Sequence, residues 1–387
     1  MNNKILNSYF LLLFSFIPAS IIVGPAVSLT NILLIDFSFI FLILYKKDYK
    51  FLSNKTVKFI IFLCLYLIFN SIVSKDFSVG AYRNFGFIRF GILFLAFNYF
   101  FYNKNFINKV LIVWILTLSI LSLDTYIESI YGKNILGYGE AYGRRIVSFF
   151  KDEPIVGGYI SGFYLIIIGY LFYLNDEIVN KYKKVILIFS IFFLMAIILT
   201  GERSNSIKAI SGFFLFYIFN DFFKLKEKIL SILLLILMFI FLLNTSDFLK
   251  LRYGGQFYKL IISSFQLNSH IQKNDIDTEN KPKVNNLYLK LYQSGFEVFK
   301  EYPIFGVGNK NYRIETCLIK KNPKYYCNTH PHQVYFEFLA EHGILGSLIL
   351  LFILFNLVFG KIKMILNSKN YLQLGCLIFL ITSFIPF

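Results

Sequence analysis

Apolar runs long enough to cross a hydrocarbon core recur along the whole chain, at 9–23, 27–45, 59–73, 85–102, 110–126, 158–174, 185–200, 207–220, 229–243 and 343–359, with another opening near Leu372. In lipid each backbone N–H and C=O must be satisfied within its own segment, so such runs read as helices. With 57% apolar, 20% aromatic and only 16% charged residues, the composition lies far from that of a soluble domain. The expectation is an all-α membrane protein, residues 1–387 forming a single polytopic membrane domain with about eleven transmembrane helices. The last run is still apolar at Phe387, which suggests twelve spans in the full protein and a truncated C-terminus. No small-residue cleavage site follows the first run, so it reads as a retained span rather than a signal peptide.

The net charge of +17 raises the question of nucleic acid, and the positions of the basic residues answer it. With the N-terminus inside, the segments 46–58, 103–109, 175–184, 221–228 and 360–371 face the cytoplasm. Together with Lys4 they hold seventeen lysines and no arginine, including Lys46, Lys47, Lys50, Lys55 and Lys58 in one loop. The short outer segments hold eight basic residues. That asymmetry follows the positive-inside rule, so the basic excess reports topology and no nucleic acid is expected as a partner.

Between the ninth and tenth spans the pattern changes. Residues 244–342, rich in Asn, Lys, Tyr and Ser, are far longer than an ordinary connection and are expected to form a folded outer loop or lid, periplasmic in a bacterial inner membrane. Within it 268–286 is the most polar part, whereas 288–300 has apolar residues at helical spacing. A smaller outer segment spans 127–157. Cys64 and Cys376 lie in apolar runs, but Cys317 and Cys327 both fall in the long loop, where an oxidising compartment allows a bridge. At this level a bridge and two free thiols both stay open.

Arginine is distributed differently from lysine. Arg83, Arg144, Arg145, Arg203, Arg252 and Arg313 lie outside, Arg89 lies within the fourth span, and none is cytoplasmic. Guanidinium forks match phosphate and carboxylate oxygens in a way that ammonium groups do not, which points to an anionic ligand at the outer surface. The bland alternative is scattered contact with lipid headgroups. Arg203 ends the seventh span in LTGERSNSIKA, where the neighbouring Glu202 is a possible partner. Arg145 sits in GRRIVSFFKDEPIVGGYISGFY, just ahead of the sixth. In THPHQVYFEFLAEHGILG, residues 329–346, Pro331 suits the first turn of a helix, which would put His330 and His332 in its N-terminal turn. Exposed N–H groups there favour an anion over a protonated imidazole, leaving His332 able to take a proton from a hydroxyl. A histidine pair that merely caps the helix is the alternative. No metal set completes the spacing of His330 and His332, and neither a P-loop nor a dinucleotide fingerprint is present, so no cofactor is expected.

Taken together, the spans, the long loop and THPHQVYFEFLAEHGILG resemble the O-antigen ligase and O-antigen polymerase superfamily of membrane glycosyltransferases. The most specific part runs from YPIFGVGNKNYR, residues 302–313, through Cys317, Cys327 and His332 to Glu341–Gly346. The resemblance implies an undecaprenyl-diphosphate-linked glycan as donor, lipid A core or another glycan as acceptor, surrounding membrane lipids, and neither metal nor nucleotide. By it His332 takes the place of the family's outer-loop histidine, Arg203 that of the arginine after the seventh span, and Arg145 that of the arginine before the sixth. Arg313 and His330 join them as candidate substrate contacts. Gln333 departs from the pattern, which usually has Asn after the histidine. Transfer to lipid A core, as in a ligase, and joining of repeat units, as in a polymerase, are not separated by these residues. A transporter of lipid-linked sugars would be expected to show inverted repeats or broken spans at matching positions, and none is apparent.

Overall fold

The computed structural model describes residues 3–139, 145–151, 153–255, 287–319 and 322–385, and among them all regular structure is helical. Twelve helices carry the architecture: α1 (Asn3–Val23), α2 (Pro25–Lys46), α3 (Lys55–Ile72), α4 (Phe77–Phe100), α5 (Lys104–Tyr131), α6 (Val156–Tyr173), α7 (Asp176–Leu199), α8 (Arg203–Ile218), α9 (Leu225–Thr245), α10 (Leu287–Glu301), α11 (Val334–Ser368) and α12 (Tyr371–Ser383). Eight of these, α1, α2, α3, α5, α6, α7, α9 and α11, are long and apolar enough to cross a membrane. The other apolar runs also form helices. α4 has 24 residues but carries Arg83 and Arg89, while α8 and α12 have 16 and 13 residues.

Short polar links fix where each helix starts. Asp76 accepts hydrogen bonds from the N–H groups of Ser78 and Val79, Asn103 from Asn105 and Phe106, Asn175 from Glu177, and Asn370 from Gln373. Each satisfies donors that the first turn leaves unpaired, so the chain reverses within a few residues and successive helices run antiparallel. Alternation gathers the lysine-rich turns at one end of the bundle. The links 73–76 and 200–202 gather at the other, together with the described residues of 132–155 and of the segment after α9.

The core runs through α6, α7 and α8, where Tyr164, Phe172, Phe193, Phe213 and Phe216 are fully buried. α12 lies along α6 with backbones in near contact: Gly169 faces Gly375, and a Cβ at either position would collide with the opposite main chain. Small residues at such a crossing are what lets two apolar helices associate closely. This packing carries the end of α12 to the loop end of the bundle. The helical spacing read at 288–300 corresponds to α10, which packs on α11. The polar stretch 268–286 and Arg144 lie outside the described residues.

Candidate active site

Two groups of side chains assemble at the loop end. The first is built on the three-residue turn between α7 and α8. The Glu202 carboxylate accepts from the N–H of Gly157 at 2.8 Å and of Gly158 at 2.9 Å, and from the Asn205 amide at 2.6 Å. Those two N–H groups belong to the first turn of α6, so Glu202 fills the anion position at a helix N-terminus. Burial pushes the Glu202 carboxyl up from its ordinary value; Asn205, the two N–H groups and the Arg145 guanidinium pull it back. The pairing of Glu202 with Arg203 considered from sequence gives way to this arrangement, because α8 starts at Arg203 and Glu202 turns back to α6.

Arg145 reaches this point because two acids near the end of α5 hold its segment. Glu128 accepts from the N–H of Val147 at 2.9 Å and of Ser148 at 2.6 Å, while Asp124 accepts from Ile135 N–H at 3.0 Å and from the Ser148 hydroxyl. A cavity of about 450 Å³ opens beside Arg145, walled by Gly132, Ile146, Leu199, Asp247 and Phe248 among others. Arg252 joins from the segment after α9, its Nε donating to the Gly201 carbonyl at 3.2 Å. Next to it Tyr253 donates to the Ile198 carbonyl at 2.9 Å and meets the Ser206 hydroxyl at 2.8 Å. Burial pushes the Tyr253 hydroxyl up to about 12, and the charges of Arg252, Glu202 and Arg203 all act on it. Arg145, Arg203 and Arg252 thus converge from three distant stretches of sequence. From sequence Arg252 is one of the outer arginines, and its position in the segment after the ninth span does not by itself bring it here.

The second group hangs on the two motifs of the long segment. α11 is broken at Gly343, whose φ of 61° and ψ of −163° interrupt the helix. The freed groups bond to the stretch before α11: Val307 N–H to the Ala340 carbonyl at 3.0 Å, Gly308 N–H to Glu341 at 2.9 Å, Ile344 N–H to Pro303 at 2.8 Å and Leu345 N–H to Ile304 at 3.1 Å. YPIFGVGNKNYR and EHGILG are therefore two halves of one backbone device. Gly306, with φ 69°, lies so close to the Glu341–His342 peptide that no side chain fits there. Buried asparagines tie the device to α3 and α4. Asn309 N–H donates to Asn70 at 2.9 Å, the Asn309 amide to Asn84 at 2.6 Å, and Lys75 N–H to the Val307 carbonyl at 2.9 Å.

This frame presents Lys310, paired with Glu337 at 2.8 Å, to the histidines. The His330 and His332 rings are 4.1 Å apart, and the Thr329 hydroxyl lies 3.0 Å from His330 Nδ1. Burial pushes His330 below its ordinary value, with His332 and Lys310 acting in the same sense and Glu337 against them. Both histidines stand ahead of α11, not in its first turn as the Pro331 argument expected. The helix begins at Val334, and Gln333 is the cap, its side chain accepting Phe336 N–H at 2.7 Å. Pro331 instead packs on Gly295 of α10, and His332 takes a left-handed φ of 59°. The departure at Gln333 has a structural part to play, since its longer amide closes that cap. Cys317 and Cys327 are joined by a disulfide with Cα atoms 4.6 Å apart. Near it, Ser294 of α10 receives the Tyr312 hydroxyl at 2.7 Å and the Tyr326 N–H at 2.9 Å.

The two groups meet through α12. Tyr335, three residues beyond His332, donates to the Phe384 carbonyl at 2.6 Å, and Lys208, five beyond Arg203, donates to the Ser383 carbonyl at 3.4 Å. Residues 188–351 match the model of a family described as O-Antigen ligase. That segment belongs to the O-antigen ligase family. The eight helices long and apolar enough to cross a membrane make the chain a multi-pass membrane protein, and the matched segment indicates a function of the O-antigen ligase and polymerase type. No curated protein matches it. The ligase segment holds Arg203, Arg252, His330, His332 and both halves of the backbone device, whereas Arg145 comes from outside it. Arg313 also falls in the segment but is exposed, and the cation acting on His330 is Lys310. The last histidine of the motif, His342, is buried below the break, where the Tyr66 hydroxyl lies 3.2 Å from its Nδ1.

Proposed function

We propose that the protein transfers a glycan from an undecaprenyl-diphosphate carrier to an acceptor hydroxyl, on lipid A core, at the periplasmic face of a bacterial inner membrane. The observation that carries this reading is the convergence of Arg145, Arg203 and Arg252 on Glu202 and Tyr253, at the same end of the bundle as the paired histidines. The lysine-rich turns at the opposite end support a cytoplasmic position for that end.

In the reaction His332 takes the proton of the acceptor hydroxyl as its oxygen attacks the anomeric carbon. The bond from that carbon to the diphosphate oxygen breaks, and undecaprenyl diphosphate leaves with the negative charge. Arg145, Arg203 and Arg252 stabilise that charge as it develops, which lowers the barrier more than it tightens ground-state binding. Direct displacement inverts the anomeric centre. The carrier's diphosphate supplies the activation, so the reading requires neither nucleotide nor metal.

Transfer by the purified chain in lipid nanodiscs, given a polyprenyl-diphosphate glycan and lipid A core, tests this. Glycosylated lipid A core with inverted linkage is the expected product. Glycan that stays on its carrier with every hydroxyl acceptor tried would remove the reading.

A further inference from the structure

Between the two groups lies a polar cleft of about 170 Å³, enclosed by α6, α8 and α12 and lined by Ser161, Gly162, Tyr164, Asn205, Lys208 and Ser383 among others. It is placed where the arginines and the histidines come together. Asn205, in its wall, is hydrogen-bonded to Glu202, and the α12 end that supplies Ser383 also bonds Tyr335. From Gly158 to Leu165 its α6 wall extends about 10 Å along the helix, at about 1.5 Å per residue.

Three features make this a site rather than a packing gap. Lys208 carries an ammonium group into a helix of the bundle, and among the described residues no carboxylate pairs with it; its hydrogen bond goes to the Ser383 carbonyl at 3.4 Å. An ionisable group at such a position is costly and marks function. Tyr164 is fully buried, and its hydroxyl has no hydrogen-bond partner among the described residues, which is rare for a buried polar group. At Gly162 no atom of the described residues lies within 4 Å of where a Cβ would stand, so that wall faces open space. The size is also informative. Clefts that take drug-sized ligands occupy roughly 300–1,000 Å³, so this one suits a single ring.

We propose that the cleft seats the sugar ring joined directly to the diphosphate of the donor. The proposal rests on the reading of the arginines as the diphosphate site and adds what that reading lacks, the contacts that recognise the first sugar. Lys208 and Asn205 donate to ring hydroxyls, and a sugar hydroxyl supplies the partner missing from Tyr164. The same seat turns the anomeric carbon toward the α12 end and the histidine turn, where an acceptor hydroxyl arrives.

The test is binding of two soluble probes to the full chain in nanodiscs: geranyl diphosphate, and geranyl diphosphate carrying one N-acetylhexosamine. The sugar-bearing probe binds more tightly to the wild type, and Gly162→Leu, which fills the cleft without touching the arginines, removes about tenfold of its affinity. Lys208→Met does the same through lost hydrogen bonds, so the result does not depend on one variant folding. Affinity for sugar-free geranyl diphosphate stays within about twofold in both variants, a change of under about 0.5 kcal/mol. Equal binding of the two probes by the wild type, or an undiminished sugar advantage in folded variants, overturns the cleft proposal alone. Failure of the wild type to bind either probe overturns the arginine reading and the cleft with it.

Discussion

The arginine group stands on helix ends, whereas the histidine pair hangs from a broken helix and a long connection. Arg203 starts a helix, Glu202 caps another and Arg145 is held by two acids near the end of a third, so a few hydrogen bonds between neighbouring elements fix the group. His330 and His332 depend on Gly343, Gly306, the buried asparagines of α3 and α4, the Pro331 contact on α10 and the disulfide. On the proposed function, the difference separates an anion site that needs rigidity from a base that must meet a variable acceptor. It also means that each side can be damaged without the other.

The largest effect is expected from His332→Ala. Loss of a general base costs roughly a hundredfold to ten-thousandfold in single-turnover transfer, while binding of a polyprenyl diphosphate is unchanged. Transfer at the wild-type rate would leave the base elsewhere. Arg203→Ala comes next, at about a hundredfold or about 3 kcal/mol of barrier, and Arg203→Lys restores only part of it because a point charge replaces a fork. Full recovery with lysine would reduce the arginine group to simple charge.

A smaller effect, confined to one side, is expected of Gly343→Ala. An L-residue held at φ 61° and ψ −163°, a region essentially reserved to glycine, costs about 1–3 kcal/mol, and the Cβ would also collide with the Ile304 carbonyl. The thermal midpoint falls and transfer weakens, yet diphosphate binding persists; parallel loss of both would show that the two groups are one cooperative unit. Reduction of the Cys317–Cys327 bridge acts on the same side. Its ten-residue separation corresponds to about 3 kcal/mol in a chain-entropy account, felt as easier proteolysis of the 302–333 segment. Unchanged proteolysis after reduction would remove the bridge from the set of devices that hold the histidines.

The smallest effect is a pH dependence. His330 titrates lower in the folded protein than its ordinary 6.5, so the folded state binds fewer protons than the unfolded one in the interval between the two values. Stability contributed by this residue is therefore present above that interval and declines as pH falls through 6.5 toward the folded value. His330→Gln is expected to flatten this part of a stability profile; an unchanged slope would assign the titration to other groups.

Much of this was legible in the sequence because it follows from hydrophobic runs and their edges. The apolar stretches form helices, and Arg145 and Arg203, each beside such a stretch, lie in one group. The helix break was hidden: in FEFLAEHGILG the apolar spacing continues across Gly343, and one glycine does not announce a reversal of φ. Pro331 misled for a related reason, since proline suits a first helical turn, but here the hollow at Gly295 decides where it lies. Arg252 and Lys310 could not be placed because tertiary hydrogen bonds to Gly201 and to Asn70 and Asn84 bring their segments in. Arg313, chosen for its guanidinium, remains exposed for the same reason, as the loop turns Lys310 inward instead.

The central claim is that both groups serve one lipid-linked donor. Photo-crosslinking residues introduced separately at Ser204, next to Arg203, and at Gln333, next to His332, test it with a single labelled polyprenyl-diphosphate glycan. Capture of that glycan from both positions, suppressed alike by unlabelled donor, is the predicted result. Capture from Ser204 with none from Gln333, in protein that still transfers glycan, would contradict it.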